Sequence, residues 1–443
     1  MKDLHAFWTP VYNAFNPWEP LYPEQMADWY VARPHSPLQA LVAELSPDRG
    51  TQRVLLLGHR SSGKSTEMVK LATELAQRFN YLVVRLDLTQ NLEIGKVNPI
   101  EMLFLLGSAV YKVALQELER KPKKELFDRL VGNLETLVQE HTESKTFEVD
   151  KKALLDNLVC FGAGLLAGPV AAGMTKAIVG LAASPFKFAS GTNIQLARKL
   201  EVQPRVREIL STLNAIIADV QEKGQRPVFL IVDGLDRVPT MEMARYVFAE
   251  NEEWLDGPTC DVLYTAPIML YYSPLFGHVR SNFHALPFPN VKVHGPHQQE
   301  HPGEPDGDGY DVMRTVVHKR LRTPWGLDPD RVIAPQALDY LIEMSGGVMR
   351  DLVRMMREAT VKAELAGQRR VDLGLANQTV LSMRRDYKAS LNVVYRRELM
   401  QVLKTHEVTG SEKCDELLLG NYVLSYVNDD IWFDVHSVIL SLL

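Results

Sequence analysis

Eight consecutive residues, Gly58-His59-Arg60-Ser61-Ser62-Gly63-Lys64-Ser65, carry the GxxxxGK[ST] spacing that builds a phosphate cradle. Each residue type answers a chemical need. Glycines let backbone N–H groups curl around an anion, the Lys64 ammonium reaches the β- and γ-phosphates, and the Ser65 hydroxyl ligates Mg²⁺. His59, Arg60, Ser61 and Ser62 complete the cradle, and Thr66 carries it into a helix whose N-terminus favours negative charge. The expected ligands are ATP and Mg²⁺.

A triphosphate site also needs a carboxylate at the tip of a neighbouring strand to hold the metal, and PVFLIVDGLDR supplies Asp233 after five apolar residues. Asp233 joins Ser65 as the Mg²⁺ pair. Asp236 is the acid on the same strand exit, with two readings: it orients or deprotonates an attacking water, or it caps a turn. Arg350, near a helix start after Gly346 and Gly347, can swing toward a terminal phosphate. Lys64, Asp233, Asp236 and Arg350 therefore form the candidate catalytic set. Thr265 stands where a polar phosphate-sensing residue would sit, although a lone threonine in a strand has a structural reading too.

These side chains need a scaffold, and the apolar runs supply one. Val54 to Leu57, Tyr81 to Leu88, Val228 to Val232 and Val262 to Ala266 read as strands, and Met68, Leu71, Ala72, Leu75 and Phe79 recur at helical spacing. Strands alternating with helices predict an α/β fold with a parallel sheet. Residues 1–50, rich in aromatics and proline, read as an irregular segment with a helix near Leu38 to Leu45; 51–295 form the P-loop core. The stretch from His294 to Tyr310 reads as a mobile loop whose His294, His297 and His301 lack the rigid surroundings of a metal site. A helical lid is expected over 310–385, beginning at Asp311, and a winged-helix-like module over 386–443.

With these motifs in place, the chain resembles the AAA+/STAND class of P-loop ATPases, NACHT proteins among them. The carriers are the DGLD form at Asp233, the Tyr30-Val31-Ala32-Arg33 box upstream of the P-loop, and Ser345-Gly346-Gly347-Val348-Met349-Arg350-Asp351-Leu352 in the lid. The resemblance implies that Arg33 lies near the base and ribose and that Arg350 senses the terminal phosphate. It covers roughly residues 30–365 by motifs. Gly234 stands where many ATPases of this general type have a glutamate directly after the Mg²⁺ aspartate, so hydrolysis is expected to be slow or to depend on Asp236. Arg237 stands where the DGLDE motif of the STAND class has its glutamate. An arginine finger from a second subunit is implied, with Arg245 and Arg280 as candidates.

Composition bounds the rest. The 443 residues suggest two to three domains, and the net charge of −6 offers no global attraction to nucleic acid. Cys160, Cys260 and Cys414 form no metal-type pair, and the MKDLHAFWTP start lacks a signal-peptide pattern, so a cytoplasmic location is expected. The long separation of Lys64 and Asp233 implies a helical insertion around 140–200. Its apolar part at 157–190 reads as a buried or oligomer-interface hairpin, with membrane contact as an alternative; Gly164, Gly168 and Ala172 have small-xxx-small spacing, while Pro169 interrupts the run. The C-terminal wing, with Asp429, Asp430, Trp432, Phe433 and Asp434, reads as an acidic, aromatic surface that suits a protein partner and disfavours DNA. The leading expectation is an ATP-dependent, homo-oligomerising switch, with bacterial antiviral defence as one setting for it; a DNA-associated AAA+ ATPase and an ATP-gated membrane-inserting effector are the alternatives.

Overall fold

The computed structural model describes residues 2–18, 20–33, 36–45, 49–141, 148–162, 203–297, 305–427 and 430–443. The apolar run beyond 162, with Gly164, Gly168, Pro169 and Ala172, lies outside them, as do His301 and Asp429. No helix among the described residues is long and apolar enough to cross a membrane.

The fold is α/β around a six-stranded, mostly parallel sheet. Its strands are β1 (Arg53–Gly58), β2 (Leu82–Asp87), β3 (Cys160–Gly162), β4 (Val228–Asp233), β5 (Asp261–Pro267) and β6 (His284–Phe288), in the spatial order β3-β2-β4-β5-β1-β6. Only β3 runs antiparallel, against β2. Central strands are covered on both faces, which explains their unbroken apolar runs. Val54 and Leu56 of β1 pack with Met68, Leu71 and Leu75 of the helix Lys64–Phe79, while Leu55 and Leu57 join the larger core on the opposite face. That second face is filled by the helices Pro99–Glu117 and Gln203–Gly224, the former buried on nearly every side.

The parallel register gathers chemistry at one edge. Asp87 and Asp233, the last residues of β2 and β4, are directly paired, and Gly58 at the end of β1 pairs with Pro267 at the end of β5. Ligands of open α/β sheets bind beyond these carboxyl ends.

Helices follow the sheet: Gly307–Arg322, Pro335–Met344, Met349–Leu365 and Leu373–Ser390. The first starts four residues ahead of the expected Asp311, because Asp306 caps it through Gly309 N–H. Then come the helices Val393–Thr405 and Glu412–Leu419, the antiparallel hairpin of β7 (Val423–Val427) and β8 (Ile431–Val435), and a short 3₁₀ turn over Ser437–Leu442.

Three sequence expectations are corrected here. The N-terminal segment is helical over Lys2–Ala14 and Pro23–Trp29, and the first of these helices docks on Met349–Leu365. Two of its aromatics are core, with Trp8 and Phe15 fully buried and Trp8 Nε1–H donating to Gln368 O at 2.9 Å, while Trp18 stays exposed. His294 and His297 are buried as well, His297 bonded to Asp434 of the C-terminal hairpin and His294 lying against Ser437 just beyond it; they do not sit on a mobile loop. Finally, Trp432, Phe433 and Asp434 face inward from β8, so the acidic, aromatic surface reduces to Asp430 among the described residues of that turn.

Candidate nucleotide site

The loop from Gly58 to Lys64 bends through backbone conformations that its residues permit at a cost. Gly63 takes φ +102°, where glycine is unstrained, and Ser61 takes φ +71°, a left-handed conformation uncommon for serine. The helix Lys64–Phe79 begins straight after, so its first N–H groups face the loop.

Lys64 is almost wholly buried, and its ammonium is fully engaged. It donates to Gly58 O at 3.0 Å and His59 O at 2.6 Å, and pairs with an Asp236 carboxylate oxygen at 2.8 Å. Ser65 Oγ–H donates to Asp233 Oδ2 at 2.7 Å, which joins the two expected Mg²⁺ residues across the top of the sheet. Thr265, also buried, accepts the Gly234 N–H at 2.9 Å and fixes the backbone just past Asp233.

The electrostatics are those of a crowded acidic pocket. Burial raises the Asp233 pKa to about 6, and the nearby Asp236 and Asp87 charges push the same way. Asp87 was not among the residues picked from the sequence. Its signal, an acid closing the apolar run of β2, is faint alone and becomes meaningful through its register with Asp233. Asp233 and the Ser65 hydroxyl are oxygen donors of the kind a hard cation such as Mg²⁺ takes, with the Asp87 and Asp236 charges near enough to act on Asp233.

The two arginines singled out from the sequence both reach the loop. Arg350 donates through its guanidinium to Ser61 Oγ at 2.6 Å and to Pro17 O at 2.9 Å, while its backbone N–H reaches Ser61 O at 3.3 Å. Arg33 is buried, donating to Ser62 O at 2.8 Å and Pro289 O at 2.6 Å with its plane 4.3 Å from the Phe288 ring centre. Burial lowers its pKa to about 10, still far above neutrality. Its donors thus brace the cradle from behind. Arg60 turns outward to Arg237 O at 2.8 Å, and Thr66 Oγ1 accepts the Leu21 N–H at 3.4 Å.

His59 departs most from expectation. Its ring is buried and points away from the cradle into the C-terminal elements, with Nδ1 3.2 Å from Leu418 O and Nε2 accepting the Ser425 N–H at 3.0 Å. Accepting at Nε2 places the ring proton on Nδ1, where it donates to Leu418 O. Burial and the neighbouring Lys64 charge push its pKa down to about 3, so the ring is neutral. Asn421 adds a third tie by donating to Arg60 O at 3.0 Å. Nearby, Tyr426 O–H donates to Gly346 O at 2.7 Å in the turn that positions Arg350. The C-terminal elements therefore grip both the phosphate loop and the arginine turn. Arg280, by contrast, lines an open surface cavity of about 500 Å³ with Arg53, Asp256 and His284.

No protein-family model matches the chain, and no curated protein matches it. Among solved structures, the chain is similar to the Orc1 protein of Aeropyrum pernix in complex with DNA, at 14% identity over 97% of this chain and 96% of that one, with a TM-score of 0.40. It is likewise similar to Cdc6p of Pyrobaculum aerophilum, at 10% identity over 97% and 95% with a TM-score of 0.37. A Walker-type ATPase of Pyrococcus abyssi aligns at 13% identity over 97% and 99%, also with a TM-score of 0.37.

Proposed function

We propose that this chain is an ATP-binding, slowly hydrolysing switch of the AAA+/STAND type, whose phosphate loop controls the docking of its C-terminal winged-helix-like module. The observation that carries the reading is the placement of His59. One residue belongs to the phosphate loop by backbone and to the C-terminal module by side chain, bonded to both Leu418 and Ser425. A triphosphate entering the cradle must pull the Lys64 ammonium from Asp236 and reshape the backbone around His59. Reshaping that backbone strains the two bonds of its ring, and the module loosens. The affinity difference between docked and undocked states is what lets the nucleotide act as a switch.

Ser65 and Asp233 hold the Mg²⁺ in this reading, with Asp87 helping to set its charge. Arg350 moves from Ser61 onto the terminal phosphate, and its departure loosens the lid turn that Tyr426 grips. Asp236, released by Lys64, becomes free to orient water; with Gly234 where a second acid would stand, turnover is slow. The undocked module exposes the surface for a second copy or a protein partner.

Hydrogen exchange across Leu418 to Ser425, with and without a slowly hydrolysed ATP analogue, tests the proposal. Faster exchange of the Ser425 amide with the analogue, absent in Lys64→Ala, is expected. Equal exchange in all conditions while the analogue is bound would sink it. Light scattering of the same samples reads whether assembly follows.

A further inference from the structure

Away from the nucleotide site, one cluster among the described residues has the makings of a metal centre. His294, His297 and Asp434 are all buried, and one ligand-type atom from each lies within 4.8 Å of the others. They come from distant parts of the chain: the two histidines from the linker after β6, the aspartate from β8.

We propose that these three side chains bind a divalent transition-metal ion of the zinc class, stapling that linker to the C-terminal hairpin. Imidazole and carboxylate together suit Zn²⁺. His294 Nδ1–H donates to Gly295 O at 2.7 Å, which fixes the ring tautomer and leaves the Nε2 lone pair free to ligate. Such a backbone partner on the far nitrogen is the usual support of a metal-bound histidine. Ser437 Oγ, a neutral oxygen, stands 3.5 Å from that Nε2. His297 Nδ1 and Asp434 Oδ2 are 3.0 Å apart, close to the roughly 3.3 Å that tetrahedral bonds of zinc length require.

Charge points the same way. Asp434 is fully buried, and its only ion-pair partner among the described residues is His297. Its remaining bonds come from neutral donors, the His297 N–H at 2.6 Å and the Val435 N–H at 2.7 Å. A buried carboxylate without a permanent cation is costly, and a divalent ion supplies one. When the ion takes the place of the His297 to Asp434 hydrogen bond, the ring proton leaves Nδ1 and a proton occupies Nε2, so neutral His297 stays neutral. The rival arrangement is a protonated His297 paired with Asp434 and no metal.

The experiment strips the full-length protein with chelator, without nucleotide, then titrates Zn²⁺ and counts metal per chain by mass spectrometry. About one equivalent, bound at roughly micromolar or tighter Kd, is expected, weakened at least about tenfold in His294→Gln and in Asp434→Asn. Co²⁺ added to stripped wild type should give the visible bands of a four-coordinate nitrogen and oxygen site. Absence of those bands together with no zinc uptake overturns the proposal and leaves the metal-free ion pair. Uptake unchanged in a folded His294→Gln variant also overturns it, by assigning the zinc to other histidines among the twelve in the chain. Should the variants lose structure, the wild-type cobalt spectrum decides alone.

Discussion

Asp236 is the residue on which two chemical roles collide. It neutralises Lys64 in a nearly solvent-free pocket, and in the proposed switch it holds the place of a phosphate. Replacing it with asparagine removes that competitor, so Asp236→Asn should tighten ATP binding about tenfold while slowing hydrolysis, read by calorimetry and phosphate release. Weaker ATP binding in this variant would contradict the placeholder role. Asp233 gives a second test, through pH. Its pKa is raised to about 6, so the acid is protonated below that value and the cost of ionising it is present above it. Mg²⁺ needs the carboxylate. Its affinity should therefore fall as pH drops through about 6, by roughly tenfold per unit below it, in a Mg²⁺ titration of the ATP complex. A flat profile between pH 7 and 5 would remove Asp233 from the metal site.

Among the elements, the turn before Met349–Leu365 is tightly constrained. Gly347 takes φ +73°, and a Cβ there would lie 1.7 Å from Val291 O, a backbone atom of the linker. Gly347→Ala must therefore displace the turn that aims Arg350, and should cost at least about 2 kcal/mol of unfolding free energy in a denaturant titration. The same scale shows how much a sequence reveals. β1, β2, β4 and β5 were legible because strands covered on both faces are written as continuous apolar runs, and the phosphate loop because its spacing is chemically rigid. β6 was missed: four of its five residues are only half-buried, and Pro287 interrupts the pattern. Lys2–Ala14 hid behind an internal Pro10 and a density of aromatics that reads as irregular. The burial of His297 and Asp434 depends on a contact across 137 positions, which no local pattern records. His59 looked like a phosphate ligand for the same reason; its spacing fixes the backbone and leaves the side chain undetermined.

At the scale of the whole molecule, docking of the C-terminal elements should respond to acid. The folded-state pKa of His59 is lowered to about 3, so its contribution is full above the ordinary histidine range near 6.5 and is lost as pH falls from there toward 3. Both Lys64 and His436 add to the depression by charge. With chelator present to exclude metal effects, hydrogen exchange at Ser425 should accelerate between pH 6.5 and 4.5, after correction for intrinsic rates, and His59→Gln should flatten the response. An identical profile in that variant would assign the acid sensitivity elsewhere. The contact of Trp8 with Gln368 has a different kind of consequence, one of time. The partners are 360 positions apart, and at about 5–20 residues per second a ribosome needs roughly 20–70 s to travel between them. For most of that interval the first helix waits without the partner of Trp8, and Arg350, which meets Ser61 of the loop, does not yet exist. Synthesis itself thus sets a clock: a nascent chain can fold its strands early, yet the contacts of His59 with Leu418 and Ser425 close only after those residues have been made.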